Sequence, residues 1–518
     1  MNNWLKTLPT DFAALLLGVM LTLAFAPYEV FPFAVLAPAG LLFLWLSSSP
    51  KRAGWLGFLF GLGFFSTSTY WIFISIHEFG DVPGFLAGFI TFGFAAILAL
   101  FPATVGFTLN RYFPTLTSLK ILGAFPSLWL CSEWVRTWIF TGFPWLFLGY
   151  SQTNSPLKGF APIFSVYGVT LAVLLSSGLL VNAVRRIQQK AYQSAYYNLF
   201  FFLTIWTVGA LLVLVHWTAP IEPPVSVSLV QGNIPQSVKW TPEKLSLSLN
   251  RYEALSEPLW GKSKLIIWPE AAIPLPLQEA ASYLAKMDEK ARGNDTALLL
   301  GIPVQSLNGS GYYNALISLG SEKKAYYKYH LVPFGEYTPS VGIFTRFMHF
   351  MDIPMSDMIP GDTNQEPITI GKTKILPFIC YEIAYPVLFK TYDPSINLLL
   401  TITNSAWFGK SSAQAQMLQM AEMRALEFGR SVVFVGNDGI TAIIGPDGNI
   451  EESVPPHEMA VLSGTVERMG GSTPWMRTGM DPILFIMLCL FLAARFHCRE
   501  RKPILTHENA KQTNPVKL

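Results

Sequence analysis

Seven apolar runs crowd the first 217 residues, and an eighth lies near the end of the chain. They cover residues 12–27, 31–46, 53–76, 84–109, 119–140, 161–184, 197–217 and 482–496. A helix that crosses a bilayer needs about 20 mostly apolar residues. The first, second and last runs are short for that, so their ends are loosely marked. The chain is 51% hydrophobic and 13% charged, whereas an average soluble domain carries about 25% charge. These runs predict a helical membrane bundle of eight spans. Ala24-Phe25-Ala26 has the look of a leader cleavage site. Pro27 in the next position argues against cleavage and six more runs of the bundle follow, so the first segment is expected to be retained.

Lys and Arg collect on the cytoplasmic side of membrane proteins. If the N-terminus with Lys6 is inside, the inner connections hold Lys51 and Arg52, then Arg111 and Lys120, then Arg185, Arg186 and Lys190. The inner tail holds Arg495, Arg499, Arg501 and Lys502, while the outer connections hold Glu29, then Glu78 and Asp81, then Lys158. This alternation predicts a seven-span bundle over residues 1–217 and an outer domain over 218–473. An eighth span over 474–498 and a polar cytoplasmic tail over 499–518 complete it. The net charge of +3 is too small to suggest a nucleic-acid partner. Glu133 and Arg136 lie three residues apart in the fifth run, on one helix face. An ion pair is the expected reading, and a polar contact for a lipid headgroup the sharper one.

The outer region reads differently. Strand-like runs cover 225–230, 264–268, 297–300, 315–319, 324–329, 373–379, 397–402, 431–435, 441–444 and 460–466. Helix-like stretches cover 242–258, with Thr241 as an N-cap, 277–292 and 411–428. Asn437-Asp438-Gly439 and Pro446-Asp447-Gly448 are turn signals that imply a meander. Strands alternating with helices predict an α/β sandwich of one domain's size.

Three of these strand-like runs end in a reactive group. Leu265-Ile266-Ile267-Trp268 leads through Pro269 to Glu270, Ala325-Tyr326-Tyr327 leads to Lys328, and Ile375-Leu376-Pro377-Phe378-Ile379 leads to Cys380. A thiol is mostly protonated at neutral pH and needs a base to become a nucleophile. Glu270 suits that task if Trp268 and Pro269 raise its pKa. Attack on a carbonyl creates an oxyanion, which the Lys328 ammonium and the Tyr381 backbone N–H can stabilise. Glu336 follows Lys328 by eight residues and can orient it or act on a second substrate. Taken singly, each group is more often a solvated strand end or a small buried hydrophobe; the apolar contexts make the case. Cys131 and Cys489 sit in apolar runs and read as such buried hydrophobes. No histidine pair has zinc spacing, and no metal or cofactor is expected. His330 serving Cys380 is a weaker alternative.

The three contexts, in this order, resemble the nitrilase superfamily. A wider set of motifs resembles one membrane-embedded branch, the apolipoprotein N-acyltransferases. It comprises Val230-Gln231-Gly232-Asn233-Ile234-Pro235-Gln236, Trp240 and Trp268-Pro269-Glu270. It continues with Lys328 to Tyr337, Asn404-Ser405-Ala406-Trp407-Phe408-Gly409, Met423-Arg424-Ala425-Leu426-Glu427 and Asn437-Asp438-Gly439-Ile440-Thr441. The resemblance implies an α-β-β-α sandwich, with Glu270 as general base, Lys328 as oxyanion stabiliser and Cys380 as the acylated nucleophile. It implies supporting roles for Trp240, Glu336, Tyr381 and Glu382. Trp407 is implied near a lipid-binding mouth, with Asn404 as a substrate contact. Ser405 departs from the Asp usual in the family, and Gln414 and Gln416 stand in a stretch that often carries His. The implied reaction moves an acyl chain from a membrane phospholipid, through a Cys380 thioester, to the α-amine of a diacylglyceryl-cysteine apolipoprotein. The implied setting is a bacterial inner membrane, with both termini cytoplasmic, the catalytic domain periplasmic and the protein monomeric. The stretch 344–358 carries Phe344, Phe347 and Phe350, and reads either as a packed loop or as an arm that dips into lipid. A membrane-tethered amidase acting on small amides is the alternative with the same three groups.

Overall fold

The structure is a computed structural model that describes residues 3–337, 357–387 and 393–500. Phe344, Phe347 and Phe350 lie outside the described residues. Helices occur at all eight apolar runs: Asn3–Thr22, Phe33–Leu46, Pro50–Ser68, Gly84–Tyr112, Phe125–Val135, Ala161–Gln188, Tyr192–Val213 and Asp481–Glu500. Four are long and apolar enough to cross a membrane, or five if a bent pair counts as one span. The helices Asn3–Thr22 and Pro50–Ser68 pack closely because Gly18 lets them. A Cβ there would come within 2.0 Å of the Phe60 carbonyl oxygen.

Two predicted spans differ from expectation. The third breaks after Ser68 and resumes at Trp71, and the two halves are bent by 53°. The fifth ends at Val135 rather than near residue 140. Phe140, Thr141 and Gly142 take φ values of +52°, +76° and +93°, which turn the chain out of the helix. Glu133 and Arg136 do not form the expected ion pair. Glu133 instead accepts from the Leu148 N–H at 3.0 Å and the Thr170 hydroxyl at 2.9 Å. The Arg136 guanidinium lies over the Phe147 ring at 4.9 Å and the Phe65 ring at 5.3 Å. Cys489 is exposed, not buried, on the outward side of the last helix.

The α/β region holds two six-stranded sheets. The first comprises β1 (Thr218–Gln231), β2 (Leu265–Ile267), β3 (Ala297–Gln305), β4 (Tyr312–Leu319) and β5 (Ala325–Tyr327), closed on the far side by β12 (Ala460–Gly471). The second comprises β6 (Ile368–Ile370), β7 (Thr373–Ile379), β8 (Leu398–Thr403), β9 (Val432–Gly436), β10 (Thr441–Ile444) and β11 (Ile450–Val454). Their orders are β12-β1-β2-β3-β4-β5 and β11-β10-β9-β8-β7-β6. The β1-β2-β3 and β7-β8-β9 ladders are parallel and the others antiparallel.

Side-chain alternation builds the layers. Leu265, Ile267 and Leu299 join the core shared with the second sheet, while Ile266, Leu298 and Leu300 face Tyr252, Leu284 and Met287 on the outer helices. Those helices are Leu245–Ser256 and Ala281–Gly293. Thr241 does not cap the first. A 3₁₀ turn over Pro242–Lys244 intervenes, and the Thr241 hydroxyl donates to the Ser237 carbonyl. The meander β9-β10-β11 forms as the two turns imply.

Candidate active site

The end of β2 is held rigidly. Trp268 is fully buried, stacks on Tyr252 at 5.1 Å and donates its Nε1–H to the Ser256 hydroxyl at 2.9 Å. The backbone at Glu270 then runs against Gly301, where a Cβ would approach the Glu270 Cα to 2.6 Å. Only glycine permits that approach, so β3 fixes where the carboxylate starts.

Four groups converge on Glu270. Its Oε1 accepts from the Asn314 amide at 2.7 Å and lies 3.4 Å from Lys328 Nζ, and its Oε2 accepts the Asn404 backbone N–H at 2.8 Å. Lys239 Nζ donates to the Glu270 carbonyl oxygen at 3.1 Å. Glu336 Oε1 takes Lys328 Nζ and the Asn314 amide, each at 2.8 Å, while its Oε2 accepts the Val332 N–H at 2.7 Å. One ammonium and one amide thus join two carboxylates. Lys328 is 1% exposed, so this is a buried ion cluster whose desolvation cost the contacts offset.

Cys380 opens a 3₁₀ turn, Cys380–Ala384, directly after β7. Its φ is +54°, a left-handed conformation that costs a non-glycine residue about 1–3 kcal/mol. Glu382 holds the turn in place. It is fully buried and accepts the N–H groups of Ile379 at 2.8 Å, Tyr329 at 2.7 Å and His330 at 3.2 Å, plus the Tyr326 hydroxyl at 2.9 Å. One carboxylate therefore clamps the turn carrying the thiol to the segment carrying Lys328, across the two sheets. Burial pushes Glu382 up to about 7, against the pull of those N–H groups.

Charge states follow from these contacts. Burial, then the nearby Glu270 charge, pushes the Cys380 thiol up to about 12, while Lys328 and the Thr403 hydroxyl at 3.5 Å pull the other way. The resting group is a thiol. Burial also acts to raise Glu270, but Lys328, Asn314, the Asn404 N–H and Lys239 together outweigh it, so the carboxyl lies below its usual range. The expectation that Trp268 and Pro269 would raise Glu270 is therefore corrected: the polar groups around it win. Burial disfavours the Lys328 ammonium, but Glu336, Glu270 and Cys380 raise it overall. The site rests as carboxylate, ammonium and thiol, a set suited to proton removal from sulfur and to stabilising a new oxyanion.

The helical region touches the Cys380–Ala384 turn directly. The Tyr381 hydroxyl donates to the Gly142 carbonyl at 3.0 Å, the Tyr385 hydroxyl to the Thr141 carbonyl at 2.9 Å, and the Tyr150 hydroxyl to the Ala384 carbonyl at 2.8 Å. Trp145 stacks on Tyr381 at 6.2 Å. The Trp407 loop meets the second half of the bent helix pair. Its carbonyl accepts the Ser75 hydroxyl at 2.7 Å, and its ring meets the Phe79 edge at 5.8 Å. Trp240 is half-buried beside Lys239 in sequence, and its Nε1–H has no hydrogen-bond partner. The Asn404 side chain is buried between Gln236 and Asn437, each at 3.0 Å, so it is the backbone of this residue that reaches Glu270. His330 stacks face to face on Tyr385 at 3.7 Å.

Sequence reasoning missed Asn314, Thr403, Lys239 and the 141–150 loop. Asn314 carries a faint signal as an amide inside an otherwise apolar β4, and Lys239 as a charge beside Trp240. The loop carries little, because Thr141 and Gly142 act through backbone carbonyls and the Trp145 and Tyr150 side chains read as ordinary apolar residues.

The family model for the Apolipoprotein N-acyltransferase N-terminal domain matches residues 17–179, and that for Carbon-nitrogen hydrolase matches 226–472. An apolipoprotein N-acyltransferase of Coxiella burnetii is 42% identical, the match spanning 92% of this chain and 98% of that protein. One from Azotobacter vinelandii is 40% identical, spanning 93% and 94%. Full-length identity of this order, over both the helical region and the sandwich, places the chain in the apolipoprotein N-acyltransferase family, acyltransferases of lipoprotein biosynthesis built on the nitrilase superfamily.

Proposed function

We propose that the chain carries out its acyl transfer in two half-reactions on Cys380. Glu270 takes the thiol proton as sulfur attacks an ester carbonyl of a membrane phospholipid. Lys328, held by Glu336, bears the oxyanion. The intermediate collapses, the carbon–oxygen bond breaks, and the leaving lysophospholipid oxygen takes the proton from Glu270. The α-amine of a diacylglyceryl-cysteine apolipoprotein then attacks the thioester. Glu270 takes a proton from that nitrogen, the amide forms and the sulfur leaves, recovering its proton. Water must be kept out between the two steps, or the thioester hydrolyses. The 7% exposure of Cys380 favours this.

The observation that carries the reading is that the adjacent residues Thr403 and Asn404 reach Cys380 and Glu270 respectively, while Glu382 ties the Cys380 turn to the segment after Lys328, at a turn bound to membrane-region carbonyls. Both substrates are lipid-anchored, so a site beside the bilayer meets them by lateral diffusion. The apolar runs, the helices at each of them and the charge alternation support eight spans, with residues 218–473 on the periplasmic side of an inner membrane. Trp407 near the Ser75–Phe79 turn is the proposed lipid mouth, and Trp240 a supporting group.

Intact-mass measurement after exposure to phospholipid tests the reading. Wild type gains one hydroxylamine-labile acyl group and releases lysophospholipid, and Cys380→Ala does neither. Ammonia release from small amides without an acyl adduct from lipid would replace it with the amidase reading.

A further inference from the structure

We infer that Lys239 is a positioning residue for the general base, fixing the main chain of Glu270 and supplying the positive charge that keeps its carboxylate ionised. The inference rests on the acyl-transfer reading above.

Charge balance makes the case. Two carboxylates, Glu270 and Glu336, share the single ammonium of Lys328. Lys328 is 1% exposed and Glu270 6%, so an uncompensated negative charge would sit where water cannot solvate it. Lys239 is also 1% exposed, on the short helix Gln236–Lys239 that follows β1. Its ammonium reaches the Glu270 carbonyl oxygen at 3.1 Å and approaches the residue from the backbone side, while Lys328 approaches the carboxylate itself. A lysine carried wholly into the interior is costly unless its charge is used there.

The groups facing the two residues are few. Glu270 meets Lys328 after β5, Glu336 through that lysine, Cys380 after β7, Lys239, and the neutral N–H groups of Asn314 and Asn404. Lys239 bonds the Glu270 carbonyl and lies in the field of the Asp438 carboxylate, on the turn after β9, with His457 3.9 Å from that carboxylate. Burial lowers Lys239 to about 8 and both acids oppose that; in return Lys239 pulls Glu270 down.

The test follows thioester formation on Cys380 by full-length protein in phospholipid nanodiscs, from about pH 4 to about pH 8. In Lys239→Met the acid-side midpoint moves up by about one pH unit, so the rate falls about tenfold below the midpoint and little at the alkaline end. Lys239→Arg restores the wild-type midpoint. Asp438→Asn leaves Lys239 in place and removes an anion that competes for its charge, so its midpoint moves down. That arm decides the matter if Lys239→Met does not fold. A rate loss equal at every pH, an unchanged Lys239→Met profile, or an unchanged or upward midpoint in Asp438→Asn overturns the role of Lys239. Absence of any acyl-enzyme in wild type overturns the acyl-transfer reading instead.

Discussion

At the residue scale, single groups are set by neighbours far away in sequence. The strand-end positions of Glu270, Lys328 and Cys380 were legible because each strand is a short apolar run that stops at a polar group. The ionisation of Glu270 was not, because Asn314, Asn404 and Lys239 decide it from three other elements. Glu422 illustrates the opposite balance. It is 5% exposed on the helix Ala413–Phe428, its Oε2 has no hydrogen-bond partner, and burial pushes it up to about 8. An unfolded Glu titrates near about 4.3. The folded value is the higher one, so folding is favoured most below about pH 4 and loses stability as pH rises towards about 8. Glu422→Gln removes that ionisation cost. Its thermal midpoint in nanodiscs is expected to exceed that of wild type at about pH 8, by the equivalent of up to about 4 kcal/mol, and to match it only below about pH 4. A variant no more stable than wild type at the alkaline end would count against this.

At the element scale, the turn Cys380–Ala384 is the demanding piece. Its left-handed first residue is strained, and its carbonyls and hydroxyls are tied off by a segment more than 200 residues earlier in the chain. Tyr150 is central to this, since it donates to the Ala384 carbonyl and accepts from Arg424 Nη2 at 3.3 Å. Tyr150→Phe leaves the buried Ala384 carbonyl without its Tyr150 donor, a loss of about 1–3 kcal/mol. Thioester formation on Cys380 should slow about tenfold while helix content is kept. An unaltered rate by the same mass measurement would mean the turn holds its shape alone. Helical periodicity cannot foresee such ties, nor the break between Ser68 and Trp71. It also overlooked β11, an edge strand reading Ile-Glu-Glu-Ser-Val that faces water along most of its length and so lacks apolar alternation. The strands β7, β8 and β9, by contrast, were readable to within one residue, because burial on both faces leaves an unbroken apolar run.

At the scale of the whole molecule, the helix Ala413–Phe428 shows how the sandwich is joined to the bundle. Its apolar spacing suggested an ordinary amphipathic helix, yet every residue in it except Ala415 is buried. One side packs on the second sheet and the other on Ala161–Gln188 and its neighbours. Polar groups bridge the seam. Gln416 Oε1 accepts both indole N–H groups, Trp145 at 2.7 Å and Trp71 at 3.2 Å, and Glu427 accepts the Val166 N–H at 2.8 Å where the membrane-region helix straightens after its kink. The fully buried Arg424 pairs with Glu427 at 2.9 Å within the same seam. Separating the two regions would expose this whole face, including a buried ion pair and several methionines, to water. Residues 218–473 expressed alone are therefore expected to aggregate without detergent, as judged by size exclusion, despite having the strand order of a complete sandwich. A monodisperse, folded fragment in plain buffer would mean that the seam is an accessory contact. The Cys380–Ala384 turn would then have to owe its geometry to the sandwich alone, which the Gly142, Thr141 and Tyr150 bonds argue against.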